Sequence, residues 1–391
     1  MNHDQIFKDR ARVLDEDLAG RASTAGADAL LAEIVRLERV PARRPLPSAG
    51  RALLGLAAAT AAVAVITPAM LPGDTTSGVP QPTTSVSAAA RPTARQILLA
   101  AAVSVEKARA DGDYWRTVTV SRSTKIDPTR SYVLETSGSF EMWMTQRPDL
   151  ESWRIRQDLG VKPATPQDEA AWRAAGAPTR WRYPKDMETK GMFSIPFGPL
   201  EAAAGERVVE RLHGKWEGKA GDLTGELITW KEVRAIPGEP DKLRSYLEER
   251  ITRHLLTADL GPGTDVEQLR AQILRQDCVD IISRLPASPE ARASAYRILA
   301  SLPGIRAEGE MTDPLGRRGQ ALSYRIEAEP GLFTEIRFVV DPGTGLPLAE
   351  VWTWTNTIEL ANGRRMEIGH STSFQAIGWT DERPELPASR S

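Results

Sequence analysis

LFTEIRFVVDPGTGLPLAEVWTWT, residues 332–355, contains two runs with period-two alternation on either side of a turn. The runs at 332–340 and 346–355 are rich in β-branched and aromatic residues, as strands are. Asp341-Pro342-Gly343-Thr344-Gly345 between them is turn chemistry: a short acceptor side chain, a fixed φ and two permissive glycines. Further period-two runs at 305–312, 320–328 and 365–377, with turn signals between, extend the pair to an antiparallel meander of five strands. Trp352 and Trp354 lie two apart and therefore share a face. They belong either to a core under helices or to a concave apolar surface.

Upstream the period changes. Leu243, Leu247, Ile251 and Leu255 recur every four residues in 240–256, which predicts a helix; 264–285 predicts a second, and Ser288-Pro289 opens a third that stops before Pro303-Gly304. Cys278, the single cysteine, shares an apolar helical stripe with Leu274, Ile281, Ile282 and Leu285, so a buried structural thiol is expected. A helix is expected over 93–110, with Ile97, Leu98, Ala101 and Val105 on one side, and strands over 114–121, 139–145 and 152–158. Thr165-Pro166 reads as a helix start, and 176–225 as irregular. Sheet and helices together predict an α+β domain over 93–380, a curved antiparallel sheet with helices packed on one face.

Ahead of this domain stands ALLGLAAATAAVAVITPAML, residues 52–71, uncharged throughout. Its length matches a bilayer core of about 30 Å at roughly 1.5 Å per helical residue. Arg36, Arg39, Arg43, Arg44 and Arg51 precede it, whereas the first basic residue after it is Arg91. The positive-inside bias therefore predicts a single-pass transmembrane helix at 50–71, a cytoplasmic tail at 1–49 and an exported C-terminal portion in the cell envelope. A cleaved signal peptide fits less well: the segment before the apolar run is some fifty residues, although Ser87-Ala88-Ala89-Ala90 offers a small-residue site. Residues 72–92 are rich in Pro, Thr, Ser and Ala and read as a flexible tether, and 381–391 as a C-terminal tail. All ten Trp, all six Tyr and six of the seven Phe follow the apolar segment, which places the folded core on the exported side.

Fifty basic and 52 acidic residues leave a net charge of −2, which argues against a bulk nucleic-acid binder. The four histidines, His3, His213, His254 and His370, form no HExxH, and no CxxC, P-loop, GxGxxG or GxSxG is present. No cofactor, metal or catalytic residue is assigned. His370 is read as a strand residue. Asp259, Asp265 and Glu267 beside a Gly-Pro-Gly loop are read as a loop and helix start, with a divalent cation as the weaker alternative. Arg317-Arg318 is read as a solvated basic turn, or a contact to an anionic partner.

LPGIRAEGEMTDPLGRRGQALSYRIE (302–327) and FVVDPGTGLPLAEVW (338–352) resemble a family of uncharacterised single-pass membrane proteins of high-GC Gram-positive bacteria. The resemblance implies a short cytoplasmic tail, one span, a tether and an exported domain. The helix-on-meander pattern is also similar to the lipoprotein-carrier (LolA-like) fold, shared by carriers of acylated proteins and by exported regulators of envelope-stress signalling. Three readings follow. The first is a membrane-anchored, non-catalytic binding or signalling module whose tail, residues 27–40, contacts a cytoplasmic regulator. The second is a carrier holding a lipid or acylated peptide on a concave sheet face lined by Tyr324, Phe338, Trp352 and Trp354. The third is an exported enzyme with no residues assigned.

Overall fold

The computed structural model describes residues 91–184, 199–261, 264–313, 315–329 and 332–386. The expected tail, span and all but the last two residues of the tether lie outside the described residues. Among those described, no helix is long and apolar enough to cross a membrane.

Helix α1 (Ala94–Val105) opens on a capping box: Thr93 Oγ1 accepts from the Gln96 amide and the Gln96 side chain accepts from the Thr93 amide. It stops five residues before the expected end. Strands β1 (Tyr114–Ile126), β2 (Val133–Met144) and β3 (Trp153–Pro163) follow. β2 begins six residues earlier than expected: the small, polar Thr136-Ser137-Gly138 ahead of the expected start carries no strand signal of its own and is held as strand by pairing on both sides. Thr165 caps α2 (Pro166–Ala174), as its sequence indicates.

The expected irregular stretch holds more structure than its composition suggests. β4 (Arg180–Trp181) pairs with β5 (Leu200–Glu201), and β6 (Val208–Arg211) extends the main sheet beside β3. β7 (Lys219–Leu223) and β8 (Glu226–Thr229) form a hairpin over a two-residue turn, Thr224 at φ 53° and Gly225 at φ 74°. Both positive φ values match the twist of the flanking strands. The short α3 (Trp230–Arg234) comes next. The helical block α4 (Pro240–Thr257), α5 (Val266–Ser283) and α6 (Pro289–Ser301) and the meander β9 (Arg306–Thr312), β10 (Arg318–Glu329), β11 (Leu332–Asp341), β12 (Leu346–Glu359) and β13 (Arg365–Thr380) fall where their periodicities place them.

All nine strands of the main sheet are antiparallel, in the order β6-β3-β2-β1-β13-β12-β11-β10-β9. The first long strand of the domain thus pairs with the last, Trp115 opposite Trp379. The fold is α+β, and its main core lies between helices and sheet. Ile97, Leu98, Leu247, Ile251, Ile281 and Ile282 from the helices pack with Trp115, Met144, Leu322, Phe338 and Val340 from the strands. Cys278 is fully buried there, and burial pushes its thiol pKa up. This is the inert thiol its apolar stripe implies.

The β11–β12 turn locks sheet to helices. Ser104 donates to Pro342 O at 2.7 Å and the Tyr296 hydroxyl donates to Gly345 O at 2.9 Å. Gly345 has φ 69°, and a Cβ there would sit 2.4 Å from Ala101 O. Only glycine meets both demands. Arg317, expected in a solvated turn or on an anionic partner, is instead a staple. It pairs with the buried Asp313 and donates to Leu348 O and Phe374 O at 3.1 and 2.6 Å. Arg318 beside it remains exposed, 3.3 Å from Glu310.

Candidate functional site

The four aromatics singled out from the sequence do not line one surface. Phe338 is buried in the helix-covered core. Tyr324 is buried with the Arg275 guanidinium of α5 5.8 Å from its ring centre, and burial raises its pKa. Trp354 belongs to a separate cluster with Ile126, Val133, Ala164, Ile358, Leu360 and Ile368, and the half-buried Trp352 packs against that cluster. Tyr324, Phe338 and Trp354 retain 6%, 3% and 2% of their surface.

Charge is buried between sheet and helices. Arg284, at the end of α5, bonds Asp280 at 2.7 Å and Glu350 of β12 at 3.0 Å. Asp277 accepts from the Thr224 amide and hydroxyl at 2.9 and 2.7 Å, pinning the β7–β8 turn to α5. Burial, with Asp280 adding to it, raises the Asp277 pKa to about 7. The acidic residues weighed for a cation act separately: Asp265 caps α5 by accepting from Gln268 N, and Glu267 lies 3.8 Å from Arg270. No group of three potential ligands for a metal ion occurs among the described residues.

An open concavity lies elsewhere on the sheet. Side chains alternate along a strand, so Trp115, Thr119, Ser121, Ser123 and Lys125 of β1 share the face that carries Trp115 into the helical core. Register places Phe140 beside Thr119, Gly138 beside Ser121 and Thr136 beside Ser123. On β3, Arg156 stands opposite Phe140 and Asp158 opposite Gly138. Beyond the helices these positions floor a trough of about 580 Å³, flanked by Leu200, Glu206 and Val208.

A chain of hydrogen bonds runs along one side of this floor. Ser123 Oγ contacts His370 Nδ1 at 2.8 Å, His370 Nε2 contacts Thr372 Oγ1 at 3.2 Å, and Thr372 Oγ1 contacts Ser121 Oγ at 3.4 Å. Burial, then Lys125 and Arg284, lower the His370 pKa to about 4, so its ring is neutral near pH 7. A Ser–His pair invites comparison with a hydrolase. A triad, however, places a carboxylate on the second ring nitrogen to stabilise the imidazolium. Here that nitrogen meets a threonine hydroxyl, and the nearby charges are cationic. The arrangement links the hydroxyls of Ser123, Thr372 and Ser121 through the His370 ring.

Sequence reasoning passed over the trough. Its signal was present as hydroxyls at every second position, Ser121 and Ser123 in VSRSTK, and as the small residues of TSGSF, residues 136–140. No family model, curated protein or solved structure matches this chain. Fold and site together define an α+β domain whose sheet face is part helix-covered core and part hydroxyl-floored trough.

Proposed function

We propose that this chain is a membrane-anchored, exported binding or signalling module of the cell envelope with no catalytic role of its own. The observation that carries this reading is the division of the sheet face. Three of the four aromatics that would line an acyl-binding hollow, Tyr324, Phe338 and Trp354, are buried among other side chains, and the open concavity on the sheet has serine and threonine hydroxyls on its floor beside an apolar margin. The expected span at 50–71, with its uncharged run 52–71, supplies the anchor, and the arginines before that run orient the tail to the cytoplasm. Residues 27–40 of that tail are the proposed contact to a cytoplasmic regulator.

Native mass spectrometry of the full-length protein, extracted gently from its membrane, tests the reading. The bare chain mass is expected. A reproducible extra mass of a phospholipid or acylated peptide would overturn it in favour of a carrier resembling the lipoprotein-carrier fold. Deleting residues 1–40 tests the coupling: envelope-stress transcription should change, and an unchanged response removes the regulator from the proposal.

A further inference from the structure

We propose that the trough on β1–β3 binds a neutral oligosaccharide, with Ser121 and Ser123 presenting hydroxyls from its floor and Phe140 stacking against a sugar ring. This rests on the binding-module reading and names its ligand class.

The lining selects against the other classes. The hydroxyls of Ser121, Ser123 and Thr136 and the charged Lys125, Asp158 and Glu206 in the lining would gain no partner from an acyl chain. An anion would meet Lys125 and Arg156 but also Asp158 and Glu206, and Arg156 is already held by Glu210 at 3.0 Å. A sugar carries hydroxyl donors and acceptors on its edge and an apolar C–H face on its ring. The trough offers both partners. Phe140 and Val208 are each 39% exposed, and with Leu200 they form an apolar margin beside the hydroxyl floor.

His370 gives the floor an adaptable polarity. A neutral imidazole carries one N–H donor and one lone pair. With the proton on Nδ1, His370 donates to Ser123, whose hydroxyl is free to donate into the trough. Thr372 then donates to Nε2 and Ser121 donates to Thr372, so Ser121 presents a lone pair. With the proton on Nε2 every direction reverses. In both states one serine donates to the ligand while the other accepts. Sugar hydroxyls, themselves donors and acceptors, match that alternation. His370 is in this sense a positioning residue acting through the two serines.

Gly138 keeps the floor open. A Cβ there would meet only Gln157 O, at 3.6 Å, so the strand itself accepts a side chain and the glycine leaves volume above Ser121. Gly138→Val should therefore fill the trough while leaving the sheet intact.

The full-length protein, in a zwitterionic detergent without a sugar headgroup, is applied to an array of neutral α- and β-linked tetrasaccharides, and the strongest hit is titrated by calorimetry. Retention of at least one tetrasaccharide is expected. Gly138→Val and Phe140→Ala should each weaken it roughly tenfold or more at an unchanged melting temperature. Loss of the relay in His370→Phe should weaken it roughly 3- to 10-fold, and His370→Gln, which keeps a donor and an acceptor, should recover most of that loss. Failure of the folded protein to retain any neutral tetrasaccharide overturns the proposal, as does binding that Gly138→Val leaves unchanged. With a bare native mass, either failure removes the sugar and leaves the binding module standing. Co-purifying lipid would remove the module itself.

Discussion

Along β1 the side chains of one face pass from Trp115, buried under the helices with its indole N–H on Arg284 O, to Ser121 and Ser123 in the open trough. The backbone is the same strand with the same pleat, and β2 pairs with it without a break. What changes is residue type. Where the face carries Trp115, Met144, Leu322 and Phe338, helices cover it; where it carries serines, threonine and glycine, they do not. Burial of apolar surface contributes roughly 25 cal/mol per Å², and a hydroxyl floor offers a covering helix no such gain. One sheet face thus serves as core at one end and as an accessible surface at the other.

That contrast breaks most easily at Phe338. Phe338→Ala leaves a cavity in the helix-covered core and should destabilise the protein by about 3–5 kcal/mol in denaturant unfolding. A loss under about 1 kcal/mol would mean that the core contains free space around the ring, as a carrier requires. Gly345→Ala attacks the same half from the turn. Its methyl would meet the Ala101 carbonyl oxygen, which belongs to backbone and cannot swing aside, at φ 69°. The expected cost is about 2–3 kcal/mol, read in the same unfolding experiment, with no effect on trough affinity.

The covered half was far more legible in the sequence than the open one. Leu243, Leu247, Ile251 and Leu255 announce their helix by spacing alone, and the five meander strands announce themselves by alternation and turn residues. Both signals are local. The pairing of β1 with β13 joins residues about 250 positions apart, and no local pattern encodes it. β2 was read short because small polar residues carry no strand signal of their own until neighbouring strands hold them. The four aromatics were read as lining one concave face, with a core as the alternative for Trp352 and Trp354, and alternation alone cannot assign them to one cluster or two. Arg317 shows the same limit: a basic turn looks solvated until the carbonyls of Leu348 and Phe374 are brought beside it.

Acid and base should act on opposite halves. The Asp277 carboxyl, in the covered half, titrates near 7 when folded, against about 3.9 unfolded. The folded state then holds the extra proton between those values, so this group's stabilisation is complete below about pH 4 and is lost as pH rises through about 7. His370, on the trough floor, titrates near 4 when folded, against about 6.5 unfolded. The folded state holds fewer protons in that window, so its stabilisation is present above about pH 6.5 and is lost on acidification. The two slopes oppose each other between about pH 4 and 6.5. Asp277→Asn keeps an acceptor for the Thr224 amide and should be more stable than the parent by about 1–2 kcal/mol at pH 8, with stability rising more steeply with pH below 6.5. His370→Gln should do the reverse, flattening the loss on acidification. Thermal melting across pH 4–8 reads both, and identical profiles for parent and variants would remove both ionisations from the account.

The smallest effect on stability is expected where the same truncation meets the open half. Phe140→Ala removes the ring that Phe338→Ala removes, from a strand of the same sheet and on the same face. Phe140 already leaves 39% of its surface in water, so less transfer free energy is lost and the trough beside it needs no refilling. The expected change in unfolding free energy is within about 1 kcal/mol, against several for Phe338. A loss comparable to that of Phe338→Ala would show Phe140 to be a core residue and the trough a seam in the packing. A near-neutral change leaves a solvent-facing aromatic beside a floor of hydroxyls, a combination that stability alone does not account for.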